Sequence, residues 1–372
     1  MQPECPMCQM WKERGAKFCG NCGRKLPDTA YTVICDRPTA TVFAVGTDPD
    51  RTGPSTPPIF RLSIIVAALL VTLIVANNTF LAIVNFSSIV EDCSEYKFSF
   101  SLSYGFGNIR LFWYQGAGVA VALGLSIAAE ALSLAYALHR FVKAFDKEKT
   151  QNDGMCVERT GISAASSALA VSLILSVVLL FITAASGSAA DASWMSEYTD
   201  LQLLFMLTKA GLEEEIELRL VWIGVPMMVI ALALHKDRRS WQYLMGGFGM
   251  SKVAVILIVF SAVLFGLAHL NGWGWGKVPS ATLGGLIFGY LYVEYGLYAA
   301  VIAHTANDTL SSLLYTFGAG IEVMTMLLLL LLGLVILIYW ILKMSGLKAE
   351  VKSMPLFPGK LENGLLEQWG RH

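Results

Sequence analysis

From Leu62 onward the chain alternates between uncharged apolar stretches and short polar connections, and this pattern restricts the fold more than any other feature. A helix crossing a bilayer needs about 20 apolar residues, because hydrocarbon tolerates only segments that satisfy their own backbone hydrogen bonds. Eight such stretches are expected, at 62–84, 111–138, 161–187, 201–234, 253–270, 279–294, 296–315 and 323–342. With 55% hydrophobic and 15% charged residues, the 372-residue chain carries more apolar surface than a soluble core hides. It belongs in a membrane.

The fourth stretch is unlike the rest. It contains Lys209, Glu213, Glu214, Glu215, Glu217 and Arg219, and 34 residues of helix would run about 51 Å. Such a segment is expected to be tilted, broken or partly interfacial. Lys and Arg concentrate in the connections 139–159 and 235–252 and in the tail beyond 345. The excess of positive charge predicts that these face the cytoplasm, with both termini inside. No basic region followed by a short apolar run precedes Leu62, so no cleavable leader is expected, and the localisation predicted is the cell membrane of a prokaryote with a cytoplasmic N-terminus. The net charge of -1 supplies no overall attraction to nucleic acid or anionic lipid.

The first 25 residues form a separate module. Cys5-Pro-Met-Cys8 and Cys19-Gly-Asn-Cys22 are two Cys-x-x-Cys knuckles ten residues apart, a spacing that lets four thiolates converge on Zn²⁺. The segment resembles the short zinc ribbons attached to prokaryotic membrane proteins. A chain this short has no room for a core, so the metal is expected to act as a structural staple. Lys12, Arg14, Lys17, Arg24 and Lys25 offer a basic face to a cytosolic protein partner, but no groove-reading helix accompanies them, which argues against nucleic acid. Residues 26–60 read as a linker in which 31–35 and 39–45 are suited to pair as a short hairpin. Residues 61–345 form the transmembrane bundle and 346–372 a cytoplasmic tail. The fold class predicted is an all-α polytopic membrane bundle of about eight transmembrane helices, carrying a small N-terminal zinc ribbon.

Ionisable side chains at bilayer depth cost about 2.5–3.5 kcal/mol each on insertion scales, so clusters of them mark function. Three clusters stand out: Glu214-Glu215-x-x-x-Arg219, Phe265-x-x-x-His269 and His304-x-x-x-Asp308. In each, members four residues apart share a helix face. A glutamate beside a histidine can deprotonate water, an arginine can neutralise and orient a second glutamate, and a further histidine can stabilise an oxyanion. Taken singly, a Glu/Arg pair is an ordinary salt bridge and a membrane histidine an ordinary interhelical hydrogen bond. Together, and in this order, they supply the parts of a peptide hydrolase. Glu130 is a further buried carboxylate, read as paired to a neighbouring helix, and Trp273 and Trp275 as interfacial anchors in a loop beside His269.

Over about 201–315 the three motifs resemble the CAAX protease and bacteriocin-processing family, the CPBP or Abi intramembrane proteases. The resemblance implies an intramembrane endopeptidase in which Glu214 and His269 activate the attacking water, Glu215 locks to Arg219, and His304 with Asp308 holds the oxyanion. Asp308 stands where that family more often has asparagine, which implies a protonated carboxyl or a role in orienting His304. The substrates implied are membrane-associated or prenylated-type peptides and proteins. Glu214, His269 and His304 also make up a His₂Glu set, so a catalytic metal stays open beside the structural zinc. Two other readings use the same residues. One is a non-catalytic scaffold or immunity-type protein that docks a cytosolic partner through the ribbon; the other is a transporter relaying protons.

Overall fold

A computed structural model describes residues 57–105, 107–151, 157–235, 238–343 and 354–358. The expected ribbon with Cys5, Cys8, Cys19 and Cys22, the expected 31–45 hairpin, Cys156 and most of the tail lie outside the described residues.

The described chain begins with α1 (Pro58–Val84), whose proline at the first turn removes an amide that would have no partner there. The short α2 (Phe86–Cys93) comes next, then an antiparallel hairpin of β1 (Phe98–Ser103) and β2 (Asn108–Tyr114), in register from Phe98 opposite Tyr114 to Ser103 opposite Asn108 with one irregularity at Phe100/Ser101. Helix α3 (Ala117–Gln151) is followed by α4 (Gly161–Ala185), which Thr160 caps by accepting from the Ser163 amide. A capping box of Thr199 and Gln202 starts α5 (Asp200–Glu215). The chain then runs without interruption through a π-helical stretch, Ile216–Gly224, into α6 (Val225–His235). The remaining α-helices are α7 (Lys252–Ala268), which a short helical turn at Leu270–Trp273 extends, α8 (Val278–Tyr295), α9 (Leu297–Thr309), α10 (Ser312–Phe317) and α11 (Ala319–Lys343).

Six of these helical segments are long and apolar enough to cross a bilayer: Pro58–Val84, Ala117–Lys149, Gly161–Ala185, Asp200–Leu234, Lys252–Trp273 and Ala319–Lys343. The chain is an integral membrane protein. The other two expected stretches fall short of that description: 279–294 lies in α8, of 18 residues, and 296–315 is divided between α9, of 13 residues, and α10. Helix α9 falls short by its length, and both helices lie among others. Helix α9 packs against α1, α3, α4, α5 and α8, and its buried side chains include Ala299, Ala300, Ala303 and Ala306. Small residues let neighbouring backbones approach, and a helix enclosed by protein does not need the lipid-facing leucines that raise hydropathy. On α8, a Cβ at Gly285 would lie 2.7 Å from the Ala262 Cα, so α7 and α8 touch through a bare backbone.

Two boundaries differ from expectation. Residues 111–114 belong to β2, so the second membrane helix starts at Ala117 rather than 111. The cationic segment 139–151, expected as loop, continues α3.

Candidate active site

Four glutamates of one helix face four sets of partners. Glu213 accepts from the Tyr114 hydroxyl at 2.7 Å and from Lys209 Nζ at 2.6 Å. Burial and then the Glu213 charge push the Tyr114 phenol up, which keeps it a donor. Glu217 accepts from the Ser103 amide, while Trp222 Nε1 donates to the Ser103 carbonyl at 3.1 Å. These two contacts fasten the β1–β2 hairpin to the π-helical stretch. Glu215 and Arg219 are fully buried, with Arg219 Nε 3.4 Å from Glu215 Oε2. Glu214 keeps 33% of its side chain exposed and places Oε2 3.5 Å from His304 Nε2.

His304, on α9, is the meeting point of the carboxylates. Its Nδ1 lies 2.8 Å from Glu215 Oε1, and its Nε2 lies 3.2 Å from Asp308 Oδ2 as well as near Glu214. Carboxylates only accept hydrogen bonds and a neutral imidazole has a single N–H. This arrangement therefore holds either an imidazolium or a shared proton on one carboxyl group. The ring stacks on Phe288 at 4.6 Å and 15°.

His269 terminates α7, and its Nδ1 lies 2.8 Å from the Phe265 carbonyl oxygen four residues earlier. A carbonyl oxygen cannot donate, so Nδ1 carries the proton, and in the neutral ring Nε2 has its lone pair free. Phe265 joins the three motifs: its ring centroid lies 4.7 Å from that of His269 and 5.7 Å from that of His304, and the Arg219 guanidinium sits 5.2 Å above it. Arg219 also lies over Phe288 at 5.6 Å, and its Nη1 donates to Ser261 Oγ at 3.2 Å. The guanidinium is thus held by one carboxylate, one hydroxyl and two aromatic faces in a fully buried position, where an unmatched charge would be costly.

All seven residues named by the three motifs fall in this neighbourhood. Among the described residues, Glu214 and His269 share no hydrogen bond or ion pair; Phe265 and His304 connect them. No three His, Cys, Asp or Glu side chains among the described residues are arranged to hold a metal ion. Residues 197–310 match the Rce1-like family of type II CAAX prenyl endopeptidases. That stretch contains Glu214, Glu215, Arg219, His269, His304 and Asp308. No curated protein and no solved structure matches the chain.

Two participants escaped sequence reasoning. Ser261 had a usable signal, since it precedes Phe265 by the same four residues that separate Phe265 from His269. Phe288 had none, because its neighbours depend on how α8 lies against α7 and α9. The loop after His269 is tied down: Trp273 packs edge-on against Trp194 at 5.2 Å, its carbonyl accepts from the Asp191 amide at 3.0 Å, and Lys277 lies over its ring at 4.7 Å. Trp275, by contrast, is 62% exposed.

Proposed function

We propose that the protein is a CAAX-type intramembrane endopeptidase, hydrolysing a peptide bond in membrane-associated or prenylated-type substrates. The observation that carries this reading is the placement of a part-exposed carboxylate, Glu214, against a buried histidine, His304, that a buried Glu215–Arg219 pair holds from the opposite nitrogen. Glu214 is the general base. It takes a proton from water as the oxygen bonds to the scissile carbonyl carbon, with the free Nε2 of His269 as the second acceptor for that water. His304, charged among Glu214, Glu215 and Asp308, stabilises the oxyanion, and Asp308 orients it instead of donating itself. The C–N bond then breaks and the proton held by Glu214 passes to the leaving amine. The family match over 197–310 supports the reaction class and the CAAX-type substrate. Zinc bound by Cys5, Cys8, Cys19 and Cys22 staples the ribbon in this reading and takes no part in cleavage.

The test is cleavage of a farnesylated CAAX reporter peptide, and of the same peptide without its lipid, by purified protein in liposomes. Wild type is expected to release the C-terminal tripeptide, and Glu214→Gln to lower kcat by about 10²–10⁴-fold, the range of a positioned general base. Cleavage that persists in Glu214→Gln removes this residue from the role. A wild-type protein that cleaves neither peptide, nor any membrane-anchored reporter, favours a scaffold that has kept the fold.

A further inference from the structure

A second polar cluster lies inside the bundle and meets the first at the adjacent residues His304 and Thr305. Glu130 on α3 is fully buried, and its carboxylate is the target of donors from other helices. Asn78 Nδ2 on α1 donates to both oxygens at 3.1 and 3.2 Å, Thr79 Oγ1 donates to Oε2 at 2.9 Å, and Thr305 Oγ1 on α9 reaches Oε1 at 3.5 Å. The Asn78 amide also donates to Thr208 Oγ1 on α5 at 3.2 Å. One carboxylate thus ties α1 and α3 to α5 and α9.

The last two helices carry the proposed reaction. On α5, Thr208, Gly211 and Glu215 follow helical spacing along one buried face. A Cβ at Gly211 would come within 2.4 Å of Thr305 Oγ1, so α5 and α9 approach tightly at this level. Thr305 adjoins His304, and a step of about 100° along a helix sends the two side chains to different neighbours: Thr305 to Glu130, and His304 to Glu215. The long Thr305–Glu130 contact and the seating of Thr305 against Gly211 together constrain the rotation of α9 about its axis, and with it the direction of the His304 ring. Thr208 holds the same turn of α5 from the other side.

We infer that Glu130 is a positioning residue, which sets the mutual rotation of α5 and α9 so that His304 meets Glu215 and Glu214. It never touches substrate. The inference rests on the proposed protease chemistry for its kinetic consequence, but not for its geometry.

The experiment compares wild type with Glu130→Gln, Thr305→Val, Thr305→Ser and the Glu130→Gln/Thr305→Val double variant, reading kcat, KM, thermal midpoint and ¹⁵N-histidine NMR in detergent. The chain has five histidines, and His304→Ala assigns the relevant ring. Glu130→Gln and Thr305→Val are each expected to lower kcat about ten- to a hundredfold with KM unchanged, the scale of a misplaced catalytic group. Both are expected to move the His304 ring resonances. Thr305→Ser keeps the hydroxyl and restores wild-type behaviour, and the double variant loses no more than either single. Unmoved His304 resonances in Glu130→Gln and Thr305→Val, or losses that multiply in the double, overturn the inference. A fall in thermal midpoint that alone accounts for the loss, with KM rising, reduces Glu130 to a structural staple and also overturns it. Thr305→Val carries the test if Glu130→Gln fails to fold. Because the resonances report without turnover, a chain that cleaves nothing sinks the protease reading while this one is judged on the spectra.

Discussion

Arg219 shows how much of the site depends on neighbours rather than on the residue itself. Its charge is buried between Glu215, Ser261 and the rings of Phe265 and Phe288. Replacing it with Met leaves the buried Glu215 with His304 as its one remaining cationic neighbour among the described residues, and breaking a buried pair from one side costs up to about 3–5 kcal/mol. Thermal and denaturant unfolding in detergent should register that loss, and Glu215→Gln/Arg219→Met should recover part of it. At this scale the sequence was informative wherever partners sit on one helix. Four-residue spacing brings together Glu215 and Arg219, Phe265 and His269, and His304 and Asp308. It was silent across helices. The contact of His304 Nδ1 with Glu215, the stacking of His304 on Phe288, and the pairing of Glu130 with Asn78, Thr79 and Thr305 join residues far apart in the chain. The four glutamates between 213 and 217 are nearly indistinguishable as letters, and only their surroundings separate them.

At the scale of elements, the π-helical stretch Ile216–Gly224 comes directly after Glu215 and contains Arg219. Wider turns of this kind rotate the downstream helix relative to an unbroken α-helical path and recur at functional sites. Deleting Val221 should return the segment towards α-helical register and turn Trp222 away from Ser103. The expected outcome is a folded helix by circular dichroism with cleavage lost. A milder change at the same junction, Trp222→Phe, removes one hydrogen bond to the hairpin. It should lower stability by about 0.5–1.5 kcal/mol, read as a shift in thermal midpoint. No residue pattern announces a π turn, since its hydrophobic period differs little from that of the flanking helix. The β1–β2 hairpin did carry a signal. Phe98-Ser-Phe-Ser-Leu-Ser103 alternates strictly between apolar residues and serine, the period of a strand, but the apolar end of its partner, 111–114, runs on almost directly into the next apolar stretch.

For the whole molecule, apolar stretches gave the class of fold and six of the expected membrane helices, while α8 and α9 show where hydropathy stops being a guide. An inner helix can be short and can carry polar and small residues that its protein neighbours accommodate. The six site residues and the Glu130 cluster lie within the described bundle, and the ribbon lies outside the described residues. The proposed chemistry uses no group of the ribbon, so a variant lacking residues 1–56 is expected to keep wild-type kcat in liposomes, and chelation that strips zinc from the full chain to leave cleavage unchanged; a loss in either case would give the ribbon a part in the reaction. One remaining feature lies near the far end of the chain. The Lys252 and Val253 amides that open α7 donate to the carbonyls of Pro355 and Leu356 at 2.9 and 3.1 Å, and Phe357 stacks on Tyr243 at 5.9 Å. Residues 354–358 thus act as a clasp on the helix that carries Phe265 and ends at His269. A purification handle spliced in before Met354 would pry that clasp open and loosen the hydrolytic centre from a distance, whereas one placed after His372 leaves it shut.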